Sequence, residues 1–84
     1  MEDKFLSQFE GLLTKYSELL IGETDPELVE KVKIWSLYTH ISKSMPPLAK
    51  HWNEEYPDAK EEMKRLIMEI KELNEKHRLA SKKE

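Results

Sequence analysis

The sequence predicts an all-α protein, an antiparallel three-helix bundle with a short additional helix between the second and third long helices. Apolar residues recur three and four positions apart along most of the 84 residues, and no segment alternates apolar with polar residues. Only two glycines are present, and four prolines divide the chain into short-linked segments. Helices joined by short connections pack as antiparallel neighbours. The predicted helices are about 3–21, 26–43, 46–55 and 57–79.

The first predicted helix carries one apolar stripe along its length. Glu2 and Asp3 lie at the end where the helix dipole favours negative charge. Gly22 follows the stripe and is suited to a left-handed residue that ends a helix. The spacing of the stripe is that of an amphipathic helix packed on a core. Its members are Phe5, Leu6, Phe9, Leu12, Leu13, Tyr16, Leu19 and Leu20.

The second predicted helix is apolar on two sides. Its start is marked by Asp25 as the capping residue with Pro26 in the first turn, or alternatively by a capping box of Thr24 and Glu27. A helix that is apolar over so much of its surface is normally covered on two sides. We therefore expect it to be central, or to bind a partner with one face. One side has Leu28, Val32 and Trp35; the other has Ile34, Leu37, Tyr38, Ile41 and Met45.

The prolines predict the two helices that follow. Pro46 and Pro47 end the second helix and fit the first turn of a short third one, and Pro57 starts the last. The last helix has an apolar seam at positions 63, 66, 67, 70, 73 and 77. We expect one domain over residues 1–84, ending in a basic frayed tail, 80–84.

Composition excludes several classes of function. The chain is 37% charged with a net charge of −3, which indicates a soluble, cytoplasmic protein. It has no cysteine, no secretory signal and no run near the roughly 20 apolar residues of a membrane span. We expect no membrane association. The basic residues cluster only near the C-terminus, so we also expect no nucleic-acid partner.

Few residues are candidates for chemistry. His51 and either Glu54 or Glu55 are spaced to share a metal ion, with His40 as a third ligand if the fold brings it near. Bundles that bind two metals use Glu-x-x-His, whereas here the order is reversed and occurs once. Phosphate loops, dinucleotide fingerprints and nucleophile elbows are missing from the sequence. We therefore predict no catalytic residue, no metal, no cofactor and no enzymatic activity, with His40, His51 and Glu55 as weak metal candidates.

The central aromatic residues are the main candidates for binding. Their helical spacing suits a core, but tryptophan and tyrosine are also enriched in interfaces because one end of each ring is polar. Both roles remain open for the cluster. The candidate partner-binding residues are Trp35, Tyr38, His51, Trp52 and Tyr56.

The stretch WSLYTHISKSMPPLAKHWNEEYP, Trp35–Pro57, resembles the central segment of a family of small uncharacterised cytosolic proteins from Gram-positive spore-formers. The flanking helices are similar as well, so the resemblance covers most of the chain. It implies a single helical domain of unknown function, and it supplies no catalytic or binding residues.

The sequence therefore favours a non-enzymatic domain that acts by protein–protein interaction, with an unidentified protein partner or by forming a homodimer. One alternative is a small-ligand or metal-binding bundle with its site near His40, His51, Trp52 and Glu55. Another is an acidic inhibitor of the immunity or antitoxin type, steered to a basic target.

Overall fold

The computed structural model describes residues 2–82, and in these residues it contains helices and no strand. The all-α class predicted from the apolar periodicity is therefore confirmed. The helices are α1 (Asp3–Ile21), α2 (Pro26–Ser44), α3 (Pro46–Glu55) and α4 (Pro57–Lys82). None of them, over the part of the chain described, combines the length and apolar character needed to cross a bilayer.

The connection between α1 and α2 follows from two local devices. Gly22 has a φ of 74°, and its N–H donates to the Glu18 carbonyl at 2.9 Å, which ends α1 in a left-handed residue. Asp25 then accepts a hydrogen bond on Oδ1 from the Glu27 N–H at 2.8 Å, with Pro26 in the first turn of α2. Asp25, and not Thr24, is thus the capping residue.

The two remaining connections share one geometry. Met45 and Tyr56 each precede a proline and have φ near −130° with ψ near 72°, outside the α region. Their N–H groups donate back to the Ile41 and Trp52 carbonyls at 2.7 and 2.9 Å, which completes the last turn of the preceding helix. A single non-helical residue therefore turns the chain at each corner.

The C-terminal end of α4 differs from the expectation. The sequence predicted a helix end near Leu79 and a frayed tail from residue 80, whereas α4 continues to Lys82. Residues 79–82 are leucine, alanine, serine and lysine, three of them good helix formers and none of them glycine or proline, so local propensity extends the helix. The rest of the predicted tail, residues 83 and 84, lies outside the described residues.

The core lies where the end of α1 packs against the first half of α2 and the middle of α4. Ile21, Val32 and Ile70 are almost completely buried against one another. α2 and α4 are antiparallel, because Gly22 before α2 lies against His77 late in α4, whereas Met63 early in α4 lies beside the second half of α2. The half-buried side chains packed on this core are Leu20, Leu28, Trp35, Leu66 and Leu73.

The apolar stripe predicted for α1 is divided in the structure. Ser17 and Ile21 are buried and Leu13 and Leu20 are half-buried, so these residues form the packed face. The other residues of the stripe are exposed; all of them except Leu6, which lies beside the rest, are called the α1 seam below. It consists of Phe5, Phe9, Leu12, Tyr16 and Leu19.

The molecule is open for its size. Its radius of gyration is 14.8 Å, against about 12 Å expected for a compact domain of this length. Its accessible surface is 6854 Å², against about 5,200 Å² for a folded monomer of 10 kDa. The extents of 44 × 38 × 21 Å show a flat arrangement of helices. Large apolar areas are therefore left without cover from the chain itself.

Candidate functional site

An apolar groove lies between α2 and α3 and is closed at one side by α4, with a volume of about 350 Å³. It is called the α2–α3 groove below. Its lining consists almost wholly of aliphatic and aromatic side chains, which is the character expected of a hydrophobic binding site. The lining residues are Ile34, Leu37, Tyr38, Ile41, Leu48, Ala49, Trp52 and Met63.

The Met45 corner forms the groove by folding α3 back along α2. One polar contact holds the two helices in place, since the Tyr38 hydroxyl donates to Asn53 Oδ1 at 3.1 Å. The rings of Tyr38 and Trp52 pack with centroids 5.9 Å apart and planes tilted by 55°, a geometry that aromatic pairs favour. The aromatic wall of the groove is thus fixed in orientation before any partner binds.

The floor and the rim of the groove differ in exposure. Ala49 is buried, and its small side chain allows α3 to approach α2 closely. Leu37 and Leu48 are 54% and 52% exposed, so they present aliphatic surface to solvent on opposite walls. Burial of such surface by a partner is favourable at about 25 cal/mol per Å². A bound molecule would therefore gain most binding free energy at the rim.

The structure places the five predicted binding residues in different surroundings. Tyr38 and Trp52 line the groove. Trp35 packs on the core cluster of Ile21, Val32 and Ile70, on the other side of α2.

The two remaining candidates lie outside the groove lining. The ring of Tyr56 is half-exposed and packs on Trp52, with centroids 6.1 Å apart. His51 is exposed on α3, and its Nε2 lies 3.0 Å from Glu55 Oε2. Both residues could contact a partner only at the edge of the groove.

The metal candidates form small, separate pairs. His51 and Glu55 supply two donors, whereas His40 lies with Ser44, at 3.4 Å between Nε2 and Oγ. A catalytic zinc site uses three protein ligands. In residues 2–82, His, Cys, Asp and Glu form no cluster of three that could hold a metal ion.

The sequence interpretation did not select the aliphatic groove residues as binding residues. Ile34, Leu37, Ile41 and Leu48 contribute much of the lining. A signal for the first three was present, because they lie on the second apolar side of α2. Leu48 was not selected, because the spacing of apolar residues along α3 does not show which side of this helix remains uncovered.

The chain segment that forms the α2 and α3 walls of the groove carries a small excess of positive charge. Residues 31–56 contain four lysines and two acids, a net charge of +2. Lys33 and His40, one turn before and after Leu37 on α2, are both exposed. Lys31 is instead paired, since its Nζ donates to Glu69 Oε1 at 2.8 Å, and this hydrogen bond raises the pKa of Lys31. Lys33 and His40 therefore remain as polar groups beside the α2 wall.

Comparison with known proteins relates the whole helical region to a group of unknown function. The chain is 67% identical over 78 residues to the uncharacterized protein YusU of Bacillus subtilis (strain 168), covering 93% of this chain and 82% of that protein. No solved structure matches the chain. The family resemblance of the segment Trp35–Pro57 is thus confirmed. Residues 3–80 match the family described as protein of unknown function (DUF2573), and the chain belongs to this family.

Proposed function

We propose that this protein is a non-enzymatic, single-domain interaction module of the cytoplasm that binds a protein partner in the α2–α3 groove. The observation that carries the proposal is the groove itself, apolar, aromatic on one wall and open to solvent. Its framework is an antiparallel three-helix bundle of α1, α2 and α4, with α3 as the additional helix. The partner element is an amphipathic helix that inserts its apolar side chains.

The shape of the groove supports a helical ligand. One wall presents Ile34, Leu37 and Ile41, which lie three and four residues apart along α2. A helix packing against this row meets it with side chains of the same spacing, as in the helix-in-groove mode of recognition. The exposed leucines on the two walls and the ring of Trp52 supply the kind of anchor contacts that dominate such interfaces.

The charge beside the groove supports an acidic partner. Lys33 and His40 flank Leu37 on the exposed side of α2, and segment 31–56 has a net charge of +2. Complementary charge raises the association rate and selects the partner more than it adds affinity. The proposed ligand is therefore a helix whose apolar stripe is bordered by Asp or Glu.

The scarcity of polar groups in the groove supports binding over catalysis. The Tyr38 hydroxyl already donates to Asn53, which leaves little in the lining to transfer a proton or to attack a substrate. General acid–base and nucleophilic catalysis both require such groups positioned at the reacting atoms. A small apolar ligand is the second candidate, because 350 Å³ lies within the usual range of small-molecule sites.

Titration with two designed helical peptides tests the proposal. Both carry the same leucine stripe, one bordered by glutamate and the other by lysine. We expect the acidic peptide to bind the wild type at least tenfold more tightly than it binds Leu37→Lys. We also expect it to bind the wild type more tightly than the basic peptide does. Met68→Lys is the matched control, because Met68 is as exposed as Leu37 but lies on α4 outside the groove.

Equal affinity of the acidic peptide for the wild type and Leu37→Lys would contradict the proposed site. A small apolar fluorophore separates the second candidate from the first. If the fluorophore binds the wild type and loses affinity in Leu37→Lys while neither peptide binds, the groove is a small-ligand site.

A further inference from the structure

The α1 seam is an unpartnered apolar row with a regular repeat. Its side chains are between 40% and 68% exposed, and Leu12 and Leu19 are the most exposed of them. The packed face of α1, with Ser17 and Ile21, is separate from it. α1 is therefore apolar on two sides, only one of which its own chain covers.

The spacing of the α1 seam is that of a coiled coil. Its five members follow one another at intervals of four, three, four and three residues, so they fill alternate d and a positions of a heptad. A repeat of 3.5 residues keeps a row of side chains facing one partner helix along its whole length. The pattern thus specifies a helix as the occupant. α1, with 19 residues, is long enough to present five layers.

We propose that the occupant is α1 of a second copy of this chain, so that the protein is a twofold-symmetric homodimer joined along the α1 seam. The α1 seam is self-complementary, because both copies present the same row of side chains and the same gaps between them. This proposal concerns a different surface from the α2–α3 groove and does not depend on the partner proposed there.

The surface area supports a second copy. The chain exposes 6854 Å², about 1,600 Å² more than a compact monomer of its mass exposes. Only part of that excess lies at the seam: at roughly 100 Å² for each of its five half-exposed side chains and Leu6, two copies would bury about 1,200 Å² in total, which reaches the range of specific interfaces. The seam and the apolar residues beside it, such as Leu6, are part of this excess. Dimerisation would also supply the stability that an 84-residue chain without disulfides lacks.

The residues that border the α1 seam allow two copies of the chain to come together. Gln8 and Lys15 occupy the heptad positions that border the seam on the side away from the core. Gln8 is uncharged, and Lys15 Nζ is bound to Glu18 Oε1 of the same helix at 2.8 Å. The same hydrogen bond lowers the pKa of Glu18. Repulsion between two copies is therefore small at this edge.

Sedimentation equilibrium over about 1 to 100 µM tests the homodimer. We expect the wild type to have twice the mass of the 10.0 kDa chain. We expect Leu12→Glu to raise the dissociation constant at least a hundredfold, because it places a charge in the middle layer. Leu12 is exposed in the single chain, so the variant should keep its helical circular dichroism spectrum. Leu19→Glu is a second variant with the same expectation.

Two controls distinguish the seam from other surfaces. Met68→Glu changes an equally exposed methionine outside the seam, and Leu37→Lys changes the groove. Both should remain dimeric. A wild type that is monomeric at 100 µM would overturn the proposal, as would a helical Leu12→Glu or Leu19→Glu variant that retains the wild-type dissociation constant. Neither result would affect the peptide titration that tests the groove.

Discussion

The two ends of the α2–α4 pair differ in how completely their apolar residues are covered. At the first end, where the end of α1 packs against the first half of α2 and the middle of α4, the core residues Ile21, Val32 and Ile70 are at most 3% exposed. At the second end, where α2 turns into α3 and α4 begins, Ala49 is buried but Met45 and Leu48 are more than half exposed. Both ends are rich in apolar side chains, so composition does not cause the difference.

The difference shows where stability and recognition are located. At the first end, side chains of α1, α2 and α4 pack together and exclude water from the core. The second end is covered by the short α3 and, at one side, by the start of α4, which leaves the α2–α3 groove open. We infer that the first end holds the fold together while the second end and the α1 seam are free to bind. Three sets of substitutions test this division.

The largest effect is expected from Ile70→Ala, which empties part of the buried core. Loss of a buried isoleucine costs about 2–5 kcal/mol of unfolding free energy, because transfer and cavity terms add. Leu48→Ala at the groove rim is the matched comparison, and an exposed site of this kind costs about 0.5 kcal/mol. Urea unfolding at one protein concentration measures both. Similar losses at the two positions would show that the second end is as well packed as the first.

Ile70→Val keeps the measurement possible if Ile70→Ala does not fold. The valine variant should lose about 0.5–1.5 kcal/mol, still more than Leu48→Ala.

Smaller changes in the free energy of unfolding, opposite in sign, are expected when the two glycines of the chain are replaced. Gly22→Ala forces a side chain into the left-handed region, and its Cβ would lie 2.6 Å from His77 Nδ1. We expect a loss of about 1–3 kcal/mol. Gly11 lies within α1 with open space around it, so Gly11→Ala should stabilise the protein by about 0.5–1 kcal/mol. Thermal unfolding of both variants gives the signs.

The double variant Gly22→Ala with His77→Ala separates the two causes at the first end. Removal of the imidazole relieves the contact but leaves the backbone strain, so the double variant should recover only part of the loss. If Gly22→Ala does not change the stability of the protein, α4 does not lie as close to the α1–α2 connection as the structure shows.

The smallest effect is expected from Lys31→Met, which breaks the ion pair with Glu69 on the outside of the first end. The pair is partly exposed, and such pairs contribute little. The raised pKa of Lys31 means that the folded state favours its charged form. The stabilisation of the fold by charged Lys31 is therefore fully present below the ordinary lysine pKa of 10.5. It is lost as the pH rises through the raised pKa of the folded state.

Unfolding midpoints of the wild type and Lys31→Met measure this contribution between pH 7 and 11.5. The difference between them should be constant up to about pH 9 and should shrink toward zero above pH 10.5. A difference that stays the same up to pH 11.5 would show that the side chain acts through packing and not through its charge.

The local features of the fold follow from single residues that can be identified in the sequence. Asp25 and Pro26 start α2, Gly22 ends α1, and Pro46 and Pro57 start α3 and α4. Each of them acts through its own backbone geometry or through a hydrogen bond to a neighbour in sequence. Such effects do not depend on distant parts of the chain, and for this reason the helical class could be predicted.

The candidate site could be predicted only in part. Trp35, Tyr38 and Trp52 have the same aromatic character, yet Trp35 packs on the core while the other two line the groove. Leu12 and Leu20 belong to one predicted stripe, yet Leu20 packs on the core and Leu12 is largely exposed. Periodicity places residues on a face of a helix, but it does not show whether another helix covers that face.

The sequence by itself determined that the chain is helical, where its turns lie, and that α1 and α2 have more apolar surface than one packed face requires. Periodicity and helix-end chemistry depend on residues within a few positions of one another. Only the tertiary structure decided which of those faces are buried at the first end and which remain open as the α2–α3 groove and the α1 seam. That choice depends on contacts between residues as distant as Ile21 and Ile70, which no local pattern specifies.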